Sequence, residues 1–116
     1  MAWHYNPHTG GKKIPPPVQE KTRARILAHA HKEYRGQYDR IDVRFRGALC
    51  YIDAYMGASQ YPTHLVRLRF NGDENRWTLA FFTYSHERYE VSFFPDGSDH
   101  GTPEAALDVG SVYLAG

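Results

Sequence analysis

Residues 40–46, Arg-Ile-Asp-Val-Arg-Phe-Arg, alternate polar and apolar side chains at every step. A helix would scatter the three apolar residues around its circumference. A strand instead puts Ile41, Val43 and Phe45 on one side and Arg40, Asp42, Arg44 and Arg46 on the other. A half-buried strand of this kind needs neighbours, and four further strand-like runs follow it. The second ends near Met56; the others are predicted over residues 63–70, 76–84 and 89–94, each closed by turn residues.

The first hairpin can be read in register from its turn. If Arg46-Gly47 is a two-residue loop, Phe45 faces Ala48, Val43 faces Cys50 and Ile41 faces Ile52. Ile41, Val43, Phe45, Cys50, Ile52 and Met56 then share the apolar side, and Arg40 lies opposite Asp53. Strict alternation in the third strand puts His64, Val66, Leu68 and Phe70 on one side and Leu65, Arg67 and Arg69 on the other. Strand four is apolar on both sides, with Trp77, Leu79 and Phe81 against Ala80, Phe82 and Tyr84, as expected of a strand covered twice. The fifth strand is predicted to pair with Phe82 opposite Val91.

Two helices flank this sheet. The prolines at 15–17 suit a helix start, and Gly36 suits its end, so residues 18–35 are predicted helical. Val18, Thr22, Ile26, Ala30 and Tyr34, with Leu27, form its apolar stripe. Thr102 is the expected N-cap of a second, short helix with Pro103 in its first turn, over residues 102–114. Gly110 either ends that helix or permits a close approach. Residues 1–17 read as an irregular arm that lies along the surface, anchored by Trp3 and Tyr5. At 116 residues the chain has room for one domain. The predicted class is α+β: an N-terminal helix packed on a five-stranded, mainly antiparallel meander sheet, closed by a short C-terminal helix.

Net charge is +1, but it is unevenly spread. Residues 1–46 hold ten Lys/Arg against four Asp/Glu, and the remainder holds four against nine. Either the first part meets an anionic partner or the two parts neutralise each other in the fold. A single cysteine, Cys50, excludes an intramolecular disulfide and fits a reducing, cytoplasmic setting. No apolar run approaches the roughly 20 residues of a membrane span. Lys12 and Lys13 precede no apolar segment, so neither a membrane association nor a secretory signal is expected.

The motifs of common catalysis are missing. The seven histidines show no metal-ligand spacing, no serine sits in a nucleophile elbow, and Cys50 turns to the apolar side, where a thiol is inert. Neither a metal nor a cofactor is expected. The surface that stands out is the polar side of the first three strands: Arg44, Arg46, Tyr51, Tyr55, Arg67 and Arg69, joined in one reading by Arg23 and Arg25. Arginine forks interleaved with rings suit phosphates and stacked bases. Asp42 and Asp53 share that side, which also fits a salt-bridged, solvated face.

The basic helix beside an antiparallel sheet with Arg, Tyr and His is similar in size and residue palette to the small ribonuclease toxins of toxin–antitoxin pairs. Those place both helices before most of the sheet, whereas here the second follows it. Residues 40–47, the aromatic and acidic second strand (Tyr51, Asp53, Tyr55), residues 66–70 and 76–79, and the strand at Tyr89 resemble an uncharacterised group of small bacterial proteins. The likeness spans residues 40–114 and implies no particular chemistry. The expected function is a non-catalytic binding module for nucleic acid or another anionic partner. A toxin-like ribonuclease and a structural homodimer, covering spare apolar surface, are the alternatives.

Overall fold

The computed structural model describes residues 10–115. Its elements run α1 (Pro16–Tyr34), β1 (Arg40–Arg46), β2 (Leu49–Tyr55), β3 (Thr63–Arg69), β4 (Thr78–Thr83), β5 (Arg88–Ser92) and α2 (Pro103–Gly110), ending in a 3₁₀ turn at Ser111–Tyr113. The five strands form one antiparallel sheet in the order β1-β2-β3-β4-β5, so the α+β meander expected from the sequence is the fold. Both helices pack on one side of it, α1 against β1 and α2 against β3 and β4. Among the described residues no helix is long and apolar enough to cross a membrane.

Local signals explain the helix ends. Pro16 opens α1, and Gly36, at φ 91°, follows its last turn. The Thr102 hydroxyl accepts the Ala105 N–H at 3.2 Å, as an N-cap should. Thr22, Ile26 and Ala30 are buried along α1, with Val18 and Tyr34 packed at the margins, while Leu27 falls off the stripe and is 40% exposed. The predicted second helix is shorter than residues 102–114, because the chain tightens to 3₁₀ after Gly110.

Two registers differ from the expected ones by two residues, which preserves the side each residue faces. Phe45 pairs with Cys50 and Val43 with Ile52, so the hairpin loop is Gly47-Ala48. A turn beginning at Arg46 would ask an arginine for positive φ. Starting it at Gly47, whose φ is 59°, avoids that strain. The Gly47 carbonyl accepts from Ile14 and that of Ala48 from Phe70, which ties the turn to its surroundings. Likewise Phe82 pairs with Tyr89 and Ala80 with Val91, because Tyr84–Glu87 makes a four-residue loop. Strand four begins at Thr78; Trp77 instead bridges Gly101.

A third difference changes a face. Ile52 pairs with Val66 but Asp53 with His64, so Leu65 is an extra residue in β3. The bulge lets Leu65 and Val66 both turn inward, where both are buried against α2. Gly110 makes room for it: a Cβ there would stand 2.9 Å from Leu65 Cβ and 3.2 Å from Val66 Cγ1. His64 is thereby moved from the apolar side, where alternation put it, to the opposite face.

The core joins α1, α2 and the inner sheet residues, with Cys50, Ile52, Leu68 and Trp77 inaccessible. Burial pushes the Cys50 thiol up to about 12, so it stays protonated and unreactive at neutral pH. Of the N-terminal arm, the described part is held by Ile14, which is buried, and by the Lys12 N–H on the Phe70 carbonyl. Trp3 and Tyr5, expected as its anchors, lie outside the described residues.

Charge pairs cross between the basic and acidic parts of the sequence. Arg25 grips Glu104 with two hydrogen bonds of 2.8 Å, and its third nitrogen donates to the Glu74 carbonyl. His29 and the Tyr34 hydroxyl both bond the Asp108 carboxylate, clamping α2 to α1 a turn further on. Burial alone would raise the Glu104 carboxyl, but the Arg25 hydrogen bonds and charge outweigh it, and the group ends below the usual glutamate range. A depressed carboxyl adds stability above its unfolded pKa and loses it as pH falls through the folded one. Glu104→Gln is therefore expected to cost about 0.5–1 kcal/mol at pH 7, the range of partly exposed ion pairs. That deficit closes in acid, below the ordinary glutamate pKa of about 4.3. Urea midpoints of both proteins at pH 7 and in acid check this; a pH-independent gap contradicts it.

Candidate nucleic-acid interface

The side of the sheet away from the helices is covered by no helix or strand of the described residues. Its composition follows from the registers. Arg44, Tyr51 and Arg67 are paired in one row across β1 to β3, and that row continues through Ala80 to Val91. The next row holds Asp42, Asp53 and His64, and beyond it Phe82 pairs with Tyr89. Five arginines, at 40, 44, 46, 67 and 69, share this side with two aspartates.

The rings lie down across the sheet rather than standing into solvent. Tyr51 on β2 and Tyr89 on β5 meet edge to face with centroids 5.7 Å apart, spanning the two strands between them. Ala80, in the same row as Tyr51, brings only a methyl group to this side and is 4% exposed. Phe82 packs 5.0 Å from Tyr89 and 4.9 Å from His64, which itself lies 6.3 Å from Tyr89. Guanidinium groups sit over the rings: Arg44 over Tyr51 at 5.1 Å, Arg67 over Tyr89 at 5.2 Å and Arg40 over Tyr55 at 4.1 Å.

At the centre is Asp53, only 2% exposed. Its carboxylate accepts from Arg44 Nη2 and from His64 Nδ1, each at 2.9 Å, and Arg44 also approaches Asp42 at 3.6 Å. The Tyr89 hydroxyl is buried among these groups without a hydrogen-bond partner. Burial, and then the Asp53 charge, push its phenol well up, so it remains a protonated donor. A buried donor left unmatched costs about 1–3 kcal/mol, which makes it a mark of a site as well as of a fold.

The structure sorts the residues singled out from the sequence. Arg44, Tyr51 and Arg67 come together as one row, with Tyr55 and Arg40 at one end and Arg46 exposed at the other. Arg69 shares their face but is 6% exposed, because Gly11 passes over it; a Cβ on Gly11 would stand 2.7 Å from Arg69 Cγ. Arg23 reaches the free edge of β1, where it donates to the Val43 carbonyl and covers Phe45. There it lines an open depression of about 650 Å³ with Arg44, Arg46 and Tyr51. Arg25 is spent on the helix clamp, on the far side. His64, Phe82 and Tyr89 are the site residues that strand alternation did not single out.

Among the described residues no cluster of three or more His, Cys, Asp or Glu is placed to hold a metal ion. No protein-family model, curated protein or solved structure matches this chain.

Proposed function

We propose that the uncovered sheet face binds single-stranded nucleic acid. The observation that carries this reading is the set of three arginine-over-tyrosine pairs on the side of the sheet opposite the helix-packed core. A face built only for solvation has no need of recumbent aromatic rings. Guanidinium groups beside such rings offer both phosphate contacts and stacking surfaces for bases. The excess of arginine over aspartate favours an anion, and the depression at the β1 edge extends the track through Arg23 and Arg46.

A fluorescent 12-nucleotide oligouridylate, followed by anisotropy, tests the reading. With about three arginines engaging phosphates, the logarithm of affinity falls with that of salt concentration at a slope near −2, taking roughly −0.7 per contact on a single strand. The double change Arg46→Glu and Arg67→Glu is expected to weaken binding at least about tenfold, as reversal of two phosphate contacts should. Affinity indifferent to salt, or unmoved by that double change, contradicts it.

A further inference from the structure

Among the described residues four histidines pair with carboxylates, and the pairs differ in what surrounds them. His86, in the loop before β5, pairs with Glu90 on that strand, His100 pairs with its neighbour Asp99 ahead of α2, and His29 with Asp108 staples the two helices. Only in the fourth is the carboxylate fully buried, and only there do arginines share the same open face. We propose that His64 is a general base toward the 2′-hydroxyl of a bound RNA strand, so that this face cleaves RNA by internal transesterification. The inference rests on the binding reading above.

The geometry is that of a positioned base. His64 Nδ1 donates to Asp53 Oδ1 at 2.9 Å, which fixes the tautomer and leaves Nε2 with its lone pair. Asp53 is a positioning residue: Arg44 holds its other oxygen at 2.9 Å, so the carboxylate cannot swing away. Phe82 packs on the imidazole at 4.9 Å and limits its rotation, yet the side chain remains 36% exposed. An imidazole oriented this way within a surface that gathers phosphates meets the geometric requirement for a base.

In the step, the 2′-hydroxyl proton passes to His64 Nε2 while the 2′ oxygen bonds to phosphorus. The bond from phosphorus to the 5′ oxygen breaks, and that oxygen takes a proton from solvent. The products are a 2′,3′-cyclic phosphate and a 5′-hydroxyl, and the imidazolium returns its proton to water. Arg44 and Arg67, in the adjacent row, are the cations placed to offset charge gathering on the phosphoryl oxygens. DNA lacks the nucleophile and is bound without being cut.

The test uses the same 12-nucleotide RNA, its all-deoxy counterpart, and EDTA throughout to silence contaminating metal nucleases. Wild-type protein is expected to cut RNA to cyclic-phosphate ends and leave the deoxy strand whole. His64→Ala is expected to lower cleavage about 10²–10⁴-fold, the usual contribution of a general base, with the rate read at saturating protein so that any change in oligonucleotide affinity does not enter it. Added imidazole should restore part of the rate, which loss of a merely structural contact would not allow. His31→Ala, on the exposed side of α1, serves as the control that cuts normally. Binding without cleavage overturns the catalytic inference and leaves the binding reading intact. Failure to bind either strand overturns both. Equal cleavage by His64→Ala assigns the activity elsewhere and also overturns it.

Discussion

Replacing Trp77 by alanine is expected to lower the free energy of unfolding by about 3–5 kcal/mol, the range for removing a large buried ring. Trp77 is wholly inaccessible and packs on Phe70 with ring centroids 5.0 Å apart. Its indole N–H donates to the Glu74 carbonyl at 2.8 Å, and its backbone exchanges two hydrogen bonds with Gly101. It therefore closes the end of the core between β4 and the chain entering α2. Since small domains are stable by only about 5–15 kcal/mol, the variant should be close to the threshold of folding. Urea unfolding checks this; a loss below about 1 kcal/mol would show that the ring is not a core residue.

The second large effect is expected at the centre of the open face. Arg44→Ala and Asp53→Ala should each cost about 2–3 kcal/mol, although Arg44 is half exposed, because hydrogen bonds between charged groups contribute about 1.5–3 kcal/mol. The two losses differ in cause. Removing Asp53 lets Arg44 and His64 return to water, whereas removing Arg44 leaves a carboxylate in the sheet with His64 alone. The double variant should then cost less than the sum of the singles, by an interaction of at least about 1 kcal/mol. Strict additivity in urea unfolding contradicts a direct bond between them.

Alternation made the row Arg44, Tyr51 and Arg67 legible in the sequence, because parity survives any even shift of register. Both hairpins were in fact displaced by two residues, and no residue changed sides as a result. His64 was not legible, since one inserted residue in β3 reverses the phase of everything before it. The clue was Leu65-Val66: strict alternation would have put Leu65 among arginines, and a bulge is the way to bury both. Tyr89 was legible as a face but not as a partner of Tyr51, because rings that recline across two strands leave no mark in local spacing. Arg69 had the right parity, and only the passage of the distant Gly11 removes it from the surface. The helices were read from caps and stripe, signals local to each segment, which explains why their starts came out within about two residues.

One measurement tests most directly whether the uncovered face is the binding surface. The oligouridylate titration, repeated on ¹⁵N-labelled protein, reports which amides move on binding. Shifts should concentrate at Tyr51, Tyr55, His64, Arg67 and Tyr89, on three strands but one side of the sheet. Shifts confined to α1 and α2, around Lys21, Arg25 and Lys32, would place any nucleic acid on the helical side and contradict the assignment.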